Sequence, residues 1–137
     1  MFTLRSDKLT VKRNMFIYLG VFLFVALVGF IYEQFSHGVY SFFMAFAFLF
    51  PMVLGFLPYL AFFLFGKNIF PSEITSDIYN AGVATITVAS LFKGVLDIYG
   101  TTRDVHTYTL FISGIVLLAL GIISYLVILI ISKKKED

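Results

Sequence analysis

The sequence contains no cysteine and no tryptophan among its 137 residues. Without cysteine, disulfide bonds and thiolate metal ligands are excluded. Charged residues make up only 13% of the chain, whereas a soluble domain has about 25%. Hydrophobic residues make up 60%, and the mean hydropathy is +0.97. This composition predicts an all-α membrane protein, and the net charge of +2 does not indicate a nucleic-acid-binding protein.

Four apolar stretches are each long enough to cross the hydrocarbon core, which takes about 20 helical residues. They lie at 14–34, 39–65, 78–100 and 106–131. Because they occupy most of the chain, we predict a single transmembrane domain, folded as an antiparallel four-transmembrane-helix bundle. The first stretch is too long for the apolar core of a signal peptide and precedes no small-x-small cleavage site, so we expect it to remain as a span.

Basic residues cluster at three places that lie on one side of a four-span protein. They precede the first span (Arg5, Lys8, Lys12, Arg13), follow the second (Lys67) and follow the fourth (Lys133, Lys134, Lys135). The loops on the other side carry only Arg103. The positive-inside rule therefore predicts a plasma-membrane protein with both termini in the cytoplasm.

The second stretch combines nine phenylalanines with three residues that disturb helices, Pro51, Gly55 and Pro58. Each proline removes a backbone hydrogen bond, so we expect a kink near the middle of this span. In a bilayer the carbonyls freed by the kink need other donors. The bend has two interpretations, a packing helix that is simply bent or a hinge that shapes a cavity wall.

The third stretch carries charges inside an otherwise apolar run. Its polar residues fall on one helical face: Asn80, Thr87, Ser90, Lys93, Gly94 and Asp97. Lys93 and Asp97 are four residues apart and can pair directly. Because ionisable residues within a membrane need partners, we expect this face to turn toward the other helices.

Both histidines, and all the charged residues that fall well within spans, gather toward the same predicted outer end. Glu33 and His37 end the first span, on a face shared with Tyr18, Gly29 and Ser36, and His106 begins the fourth span. We expect Glu33 to accept a hydrogen bond from Lys93, with Asp97 on the other side. Such a network could fix helix register only, or it could form a site open to the outside.

These residues leave several functions open. The first is a site for a small ligand or ion, with Glu33 and Asp97 as acidic ligands, Lys93 as counter-ion and Ser90 beside them. His37 and His106 would form its rim, and transport would require a homo-oligomer or a partner membrane subunit.

The alternatives use some of the same side chains. A b-type haem could be held by His37 and His106 for electron transfer. A divalent metal such as zinc could be held by Glu33, His37, Asp97 and His106. A structural or accessory membrane subunit needs no ligand at all. No catalytic motif is present, so we do not expect an enzyme.

Two segments carry a family resemblance, 33–41 (EQFSHGVYS) and 93–102 (KGVLDIYGTT). They resemble motifs of small uncharacterised four-span membrane proteins of Gram-positive bacteria. The resemblance implies a bacterial plasma membrane and a four-span fold. It implies no activity and no catalytic residues.

Overall fold

The structure is a computed structural model that describes residues 2–65, 73–100 and 105–136, and in these ranges the chain is helical with no strand. The elements in chain order are α1 (Phe2–Gln34), α2 (Phe42–Ala45), a π-helix (Pro51–Phe56), α3 (Leu57–Phe65), α4 (Glu73–Tyr99) and α5 (Val105–Glu136). The predicted all-α class is confirmed. Lys67 and Arg103, two of the basic residues on which the predicted orientation depends, lie outside the described residues.

Within the described ranges, three helices are long and apolar enough to cross a membrane. Their apolar portions are Leu9–Gln34, Ile74–Tyr99 and Val105–Lys135. The first two have 26 residues each, which at about 1.5 Å per residue gives ~39 Å, more than the ~30 Å hydrocarbon core. They correspond to the first, third and fourth predicted spans, and they support a membrane protein.

The second predicted span, 39–65, is an interrupted helix and not a continuous one, and the disturbance expected at its prolines is present. It consists of the one-turn helix α2, a turn at 46–48, and a helical run that begins at Leu49 and includes the π-helix and α3. The apolar helix Pro51–Leu64 within it is only about 20 Å long at 1.5 Å per residue. The physical reason is the pair of prolines, which lack the N–H that an uninterrupted α-helix needs.

The carbonyls freed by these interruptions find other donors, as the sequence predicted. Pro51 offers no N–H to Ala47, whose carbonyl accepts instead from the Phe50 N–H at 3.3 Å. Pro58 offers none to Leu54, whose carbonyl accepts from the Tyr79 hydroxyl at 2.7 Å. The backbone irregularity is therefore tied to α4 by a side-chain hydrogen bond, which keeps a polar group satisfied in an apolar region.

The core lies where α1, α3 and the first half of α4 meet. It contains Val11, Met15, Tyr18, Tyr59 and Val83. The predicted inward face of α1 is confirmed, because Tyr18, Gly29 and Ser36 are buried and Glu33 is half-buried. On α4, Thr87, Ser90 and Gly94 are buried as well.

The helix α5 packs chiefly against α4, in the antiparallel direction. Glycines allow this close approach. A Cβ on Gly82 would lie 2.8 Å from the Leu118 backbone nitrogen, and one on Gly121 would lie 3.0 Å from the Tyr79 side chain. Most of the other hydrophobic side chains of α5 are exposed. The helix is therefore attached to the outside of the bundle, with its wide apolar face available to lipid.

Candidate functional site

The polar residues that the sequence singled out lie around a backbone contact shared by three helices. Met44 of α2 packs against Gly29 of α1 and Gly94 of α4: a Cβ on Gly29 would lie 2.9 Å from the Met44 carbonyl oxygen, and a Cβ on Gly94 would lie 2.6 Å from the Met44 Cβ. One turn farther along the two helices stand Glu33 and Asp97. We call this end of the molecule, where α1 and α4 finish, the Glu33 end.

The ion pair predicted within α4 is present. Lys93 Nζ lies 3.0 Å from Asp97 Oδ1, and their side chains are 17% and 30% exposed. The second carboxylate oxygen, Asp97 Oδ2, accepts a hydrogen bond from the Ser41 hydroxyl at 3.0 Å. Both oxygens of Asp97 are therefore engaged, and the carboxylate links α4 to the residue that precedes α2.

Glu33 differs from Asp97 in its contacts. Its Oε1 is enclosed by protein, and within the described ranges this oxygen has no hydrogen-bond partner. The expected hydrogen bond from Lys93 therefore does not reach Oε1. A buried carboxylate oxygen without a donor costs about 1–3 kcal/mol or more. The Glu33 end thus contains one carboxylate with both oxygens engaged and another with one unsatisfied oxygen.

Ser90 is used for backbone satisfaction. Its side chain is 1% exposed, and its hydroxyl donates to the Phe43 carbonyl at 2.7 Å. In a longer helix that carbonyl would accept from the Ala47 N–H, which here bonds to the Met44 carbonyl at 3.4 Å. Ser90 therefore compensates for the early end of α2, and its hydroxyl hydrogen is not available to a ligand.

The two histidines are exposed, and they lie in different segments. His37 follows α1 in a left-handed conformation, with φ 56°, and His106 lies in the first turn of α5. No group of three or more His, Asp or Glu side chains converges among the described residues. The haem and metal alternatives gain no support from this arrangement.

A second polar group lies at the opposite end of the molecule, where α4 begins. The Oδ1 atom of Asn80 accepts hydrogen bonds from the Tyr18 hydroxyl at 2.7 Å and the Tyr59 hydroxyl at 2.8 Å. The side chains of Asn14 and Ser76 also hydrogen-bond to Tyr59. We call this group the Asn80 network. It joins α1, α3 and α4 through neutral side chains.

Sequence reasoning missed the Asn80 network although two of its members stood on predicted inward faces. Tyr18 was on the inward face of the first span, and Asn80 was on that of the third. The missing element was Tyr59, which is hidden in the aromatic-rich second span and looks like one more packing residue. Spacing along the chain cannot show that hydroxyls 62 and 21 residues away share one acceptor.

No protein-family model matches the sequence, and no curated protein or solved structure matches it significantly.

Proposed function

We propose that the chain is a four-span membrane protein whose Glu33 end faces outward and binds a small cation. In this arrangement the broken segment from α2 to α3 acts as the second span, and both termini lie in the cytoplasm. The directions of the elements support it. Met44 contacts α1 and α4 at the Glu33 end, whereas Tyr59 contacts them at the Asn80 network, so the broken segment runs opposite to both.

The observation that carries the proposal is the unsatisfied Oε1 atom of Glu33. A buried carboxylate oxygen is stabilised by a donor or a cation, and an inorganic cation or a small ammonium ion supplies either. Neither charged residue of α4 at this end donates to Oε1, because Asp97 is itself an acceptor and this oxygen has no hydrogen-bond partner among the described residues. A bound ligand would complete the coordination of Glu33.

The charge of the site favours the same class of ligand. Glu33 and Asp97 contribute two negative charges and Lys93 one positive charge, which leaves one net negative charge. In a region of low dielectric constant such a charge attracts a monovalent cation more strongly than it would in water. Ser41 holds the Asp97 carboxylate in place, so binding requires little rearrangement on the α4 side.

Movement of the cation across the membrane would need more than this chain supplies. The Asn80 network at the other end is neutral and engaged in internal hydrogen bonds, so it provides no charged side chain to which a cation could pass. We therefore propose that the chain works within an assembly, as a homo-oligomer or with a partner membrane subunit. The exposed apolar face of α5 offers a surface for such contacts.

A binding experiment with two matched variants tests the cation site. Sodium, potassium and methylammonium chlorides are titrated into the purified chain in nanodiscs, with choline-free buffer, and the thermal midpoint of unfolding is followed. A ligand at about 100 times its Kd stabilises the folded state by about 2.7 kcal/mol. We expect at least one of the three cations to raise the midpoint, and Glu33→Gln to abolish the rise.

Asp77→Asn is the control, because it removes an exposed carboxylate of α4 at the opposite end. It should leave the stabilisation intact. If Glu33→Gln responds to the cations as the unaltered chain does, or if none of the three cations stabilises the protein, the proposed site is wrong. The polar residues at the Glu33 end would then serve packing, as in a structural or accessory subunit.

A further inference from the structure

A cavity of about 190 Å³ lies between α3, the first turns of α4, and α5, away from the Glu33 end. Four aromatic side chains line it, from all three helices: Tyr59, Phe62, Tyr79 and Tyr125. Phe62 and Tyr125 meet edge to face, with ring centroids 5.5 Å apart and planes at 75°. We call it the aromatic cavity. We propose that it binds a quaternary ammonium group.

Three hydroxyl groups of the lining residues hydrogen-bond within the protein. The Tyr59 hydroxyl donates to Asn80, and the Tyr79 hydroxyl donates to the Leu54 carbonyl. Thr75 and Ser124 hydrogen-bond to each other at 3.0 Å. The cavity therefore offers a ligand mainly ring and aliphatic surface. A ligand that must itself donate or accept several hydrogen bonds, such as a phosphate or a primary ammonium ion, would lose those made with water.

A quaternary ammonium group does not have this requirement, because its nitrogen carries no hydrogen. Its positive charge is attracted by the faces of aromatic rings, and more strongly where the group is removed from water. The size also fits, since a cavity of about 150 Å³ holds a benzene molecule. Four aromatic side chains line this one cavity, and aromatic side chains in such numbers are typical of sites that bind quaternary ammonium groups.

An acidic residue lies next to the lining residues in the sequence of α4. Asp77 follows Ser76 and precedes Tyr79 by two residues, and its side chain is exposed and does not line the cavity. An exposed carboxylate within one helical turn of the lining residues adds a weak attraction for a cation, which a neutral group of the same shape does not experience.

A quaternary ammonium group occurs both in soluble cations and in lipids with a choline headgroup. The experiment distinguishes these two sources. The full chain is placed in nanodiscs of phosphatidylglycerol, which has no quaternary nitrogen, and choline binding is measured by ligand-detected NMR of its methyl protons. The neutral isostere 3,3-dimethyl-1-butanol is measured in parallel. We expect choline to bind at least fivefold more tightly. Equal affinities, or no binding of choline, would overturn the proposal.

Phe62→Leu sharpens the test, because it removes one ring while keeping an apolar side chain. We expect it to weaken choline binding at least threefold and to leave binding of the neutral isostere nearly unchanged. Phe24→Leu is the control, since Phe24 is exposed on α1 and does not line the cavity. Should Phe62→Leu fail to fold, Asp77→Asn replaces it, with weaker choline binding expected. Unchanged binding in the folded variant would contradict the proposal.

The source of the ligand follows from a second set of nanodiscs that contain phosphatidylcholine. If the lipid lowers the apparent affinity for added choline, the headgroup occupies the aromatic cavity. If choline binds as before, the ligand is a soluble cation, and both results support the site. Glu33→Gln should leave choline binding unchanged, so a failure of the cation site at the Glu33 end does not affect this test.

Discussion

The two ends of the bundle are held by polar groups of different kinds. At the Asn80 network the side chains are neutral, and one amide oxygen accepts two tyrosine hydroxyls. At the Glu33 end the side chains are charged, and one carboxylate oxygen has no hydrogen-bond partner among the described residues. The comparison indicates that the first group contributes chiefly to stability and that the second retains capacity for a ligand. Substitutions at the two ends should therefore affect stability to different degrees.

The largest loss of stability is expected for Asn80→Leu. The substitution leaves the hydroxyls of Tyr18 and Tyr59 without their acceptor in a buried region, at a cost of about 2–4 kcal/mol for the two groups. The free energy of unfolding, measured by SDS titration in mixed micelles, should fall by this amount. Thr85→Val is the control, because its hydroxyl bonds only to the Ala81 carbonyl of its own helix. Equal losses for the two variants would refute the role of the Asn80 network.

Glycine substitutions compare close packing at the two ends. A Cβ on Gly55 would overlap the Tyr18 ring, and a Cβ on Gly94 would lie 2.9 Å from the Met44 backbone nitrogen. Overpacking costs about 1–3 kcal/mol, so Gly55→Ala and Gly94→Ala should both lower the free energy of unfolding. Gly20→Ala is the control, since a Cβ there meets nothing within 4 Å. A midpoint for either test variant as high as that of Gly20→Ala would show that the close contact is not required.

A moderate effect is expected for Ser90→Ala. The Phe43 carbonyl loses its donor, and an unsatisfied buried carbonyl costs about 1–2 kcal/mol. Ser113→Ala is a matched control, because Ser113 is exposed and bonds to the Thr109 carbonyl of its own helix at 2.8 Å. Thermal unfolding followed by circular dichroism should show a lower midpoint only for Ser90→Ala. A drop of equal size in both would mean that the early end of α2 does not depend on this hydroxyl.

A smaller effect is expected for Asp97→Asn at the Glu33 end. Both members of the ion pair are partly exposed, and such pairs contribute about 0–1 kcal/mol. Asparagine can still accept the hydrogen bond from Ser41, so the fold should persist. The free energy of unfolding should fall by less than about 1 kcal/mol. A loss as large as that of Asn80→Leu would mean that the charged end is as important for stability as the neutral one.

No loss of stability is expected for Glu33→Gln. The substitution removes a charge whose Oε1 atom has no hydrogen-bond partner, so it relieves the cost of an unsatisfied buried carboxylate oxygen. We expect the free energy of unfolding in cation-free buffer not to fall. A destabilisation, measured by the same SDS titration, would show that this carboxylate is part of the structural framework.

Hydropathy and helical period predicted much of the fold. Three long helices and the inward face of α1 around Tyr18 and Gly29 follow from the residues of each segment alone. The break in the second segment was only partly predictable, because the prolines indicate a disturbance but not its form. The turn at 46–48 depends on contacts of α2 with α4, in which Ser90 donates to the Phe43 carbonyl and Gly94 packs against Met44. The residues of the Ser90–Phe43 pair are 47 positions apart in the sequence.

The sequence predicted which residues form the candidate site, but it did not predict most of the contacts between them. The i,i+4 spacing was sufficient to predict the Lys93–Asp97 pair. The hydrogen bond from Ser41 to Asp97 joins residues 56 positions apart, and it depends on where α2 begins. The unsatisfied oxygen of Glu33 depends on the same packing. Such partners are decided by tertiary structure, which a single sequence does not reveal.

The π-helix Pro51–Phe56 determines the direction in which the side chains of α3 point relative to those of α2. A π-turn holds an extra residue compared with an α-turn. Removing one residue from it would restore α-helical spacing and rotate α3 by about 100° relative to α2. Tyr59 would then point away from Asn80 while Met44 stayed against Gly94. The extra residue of the π-helix thus lets Met44 and Tyr59, at the two ends of this segment, both face α4.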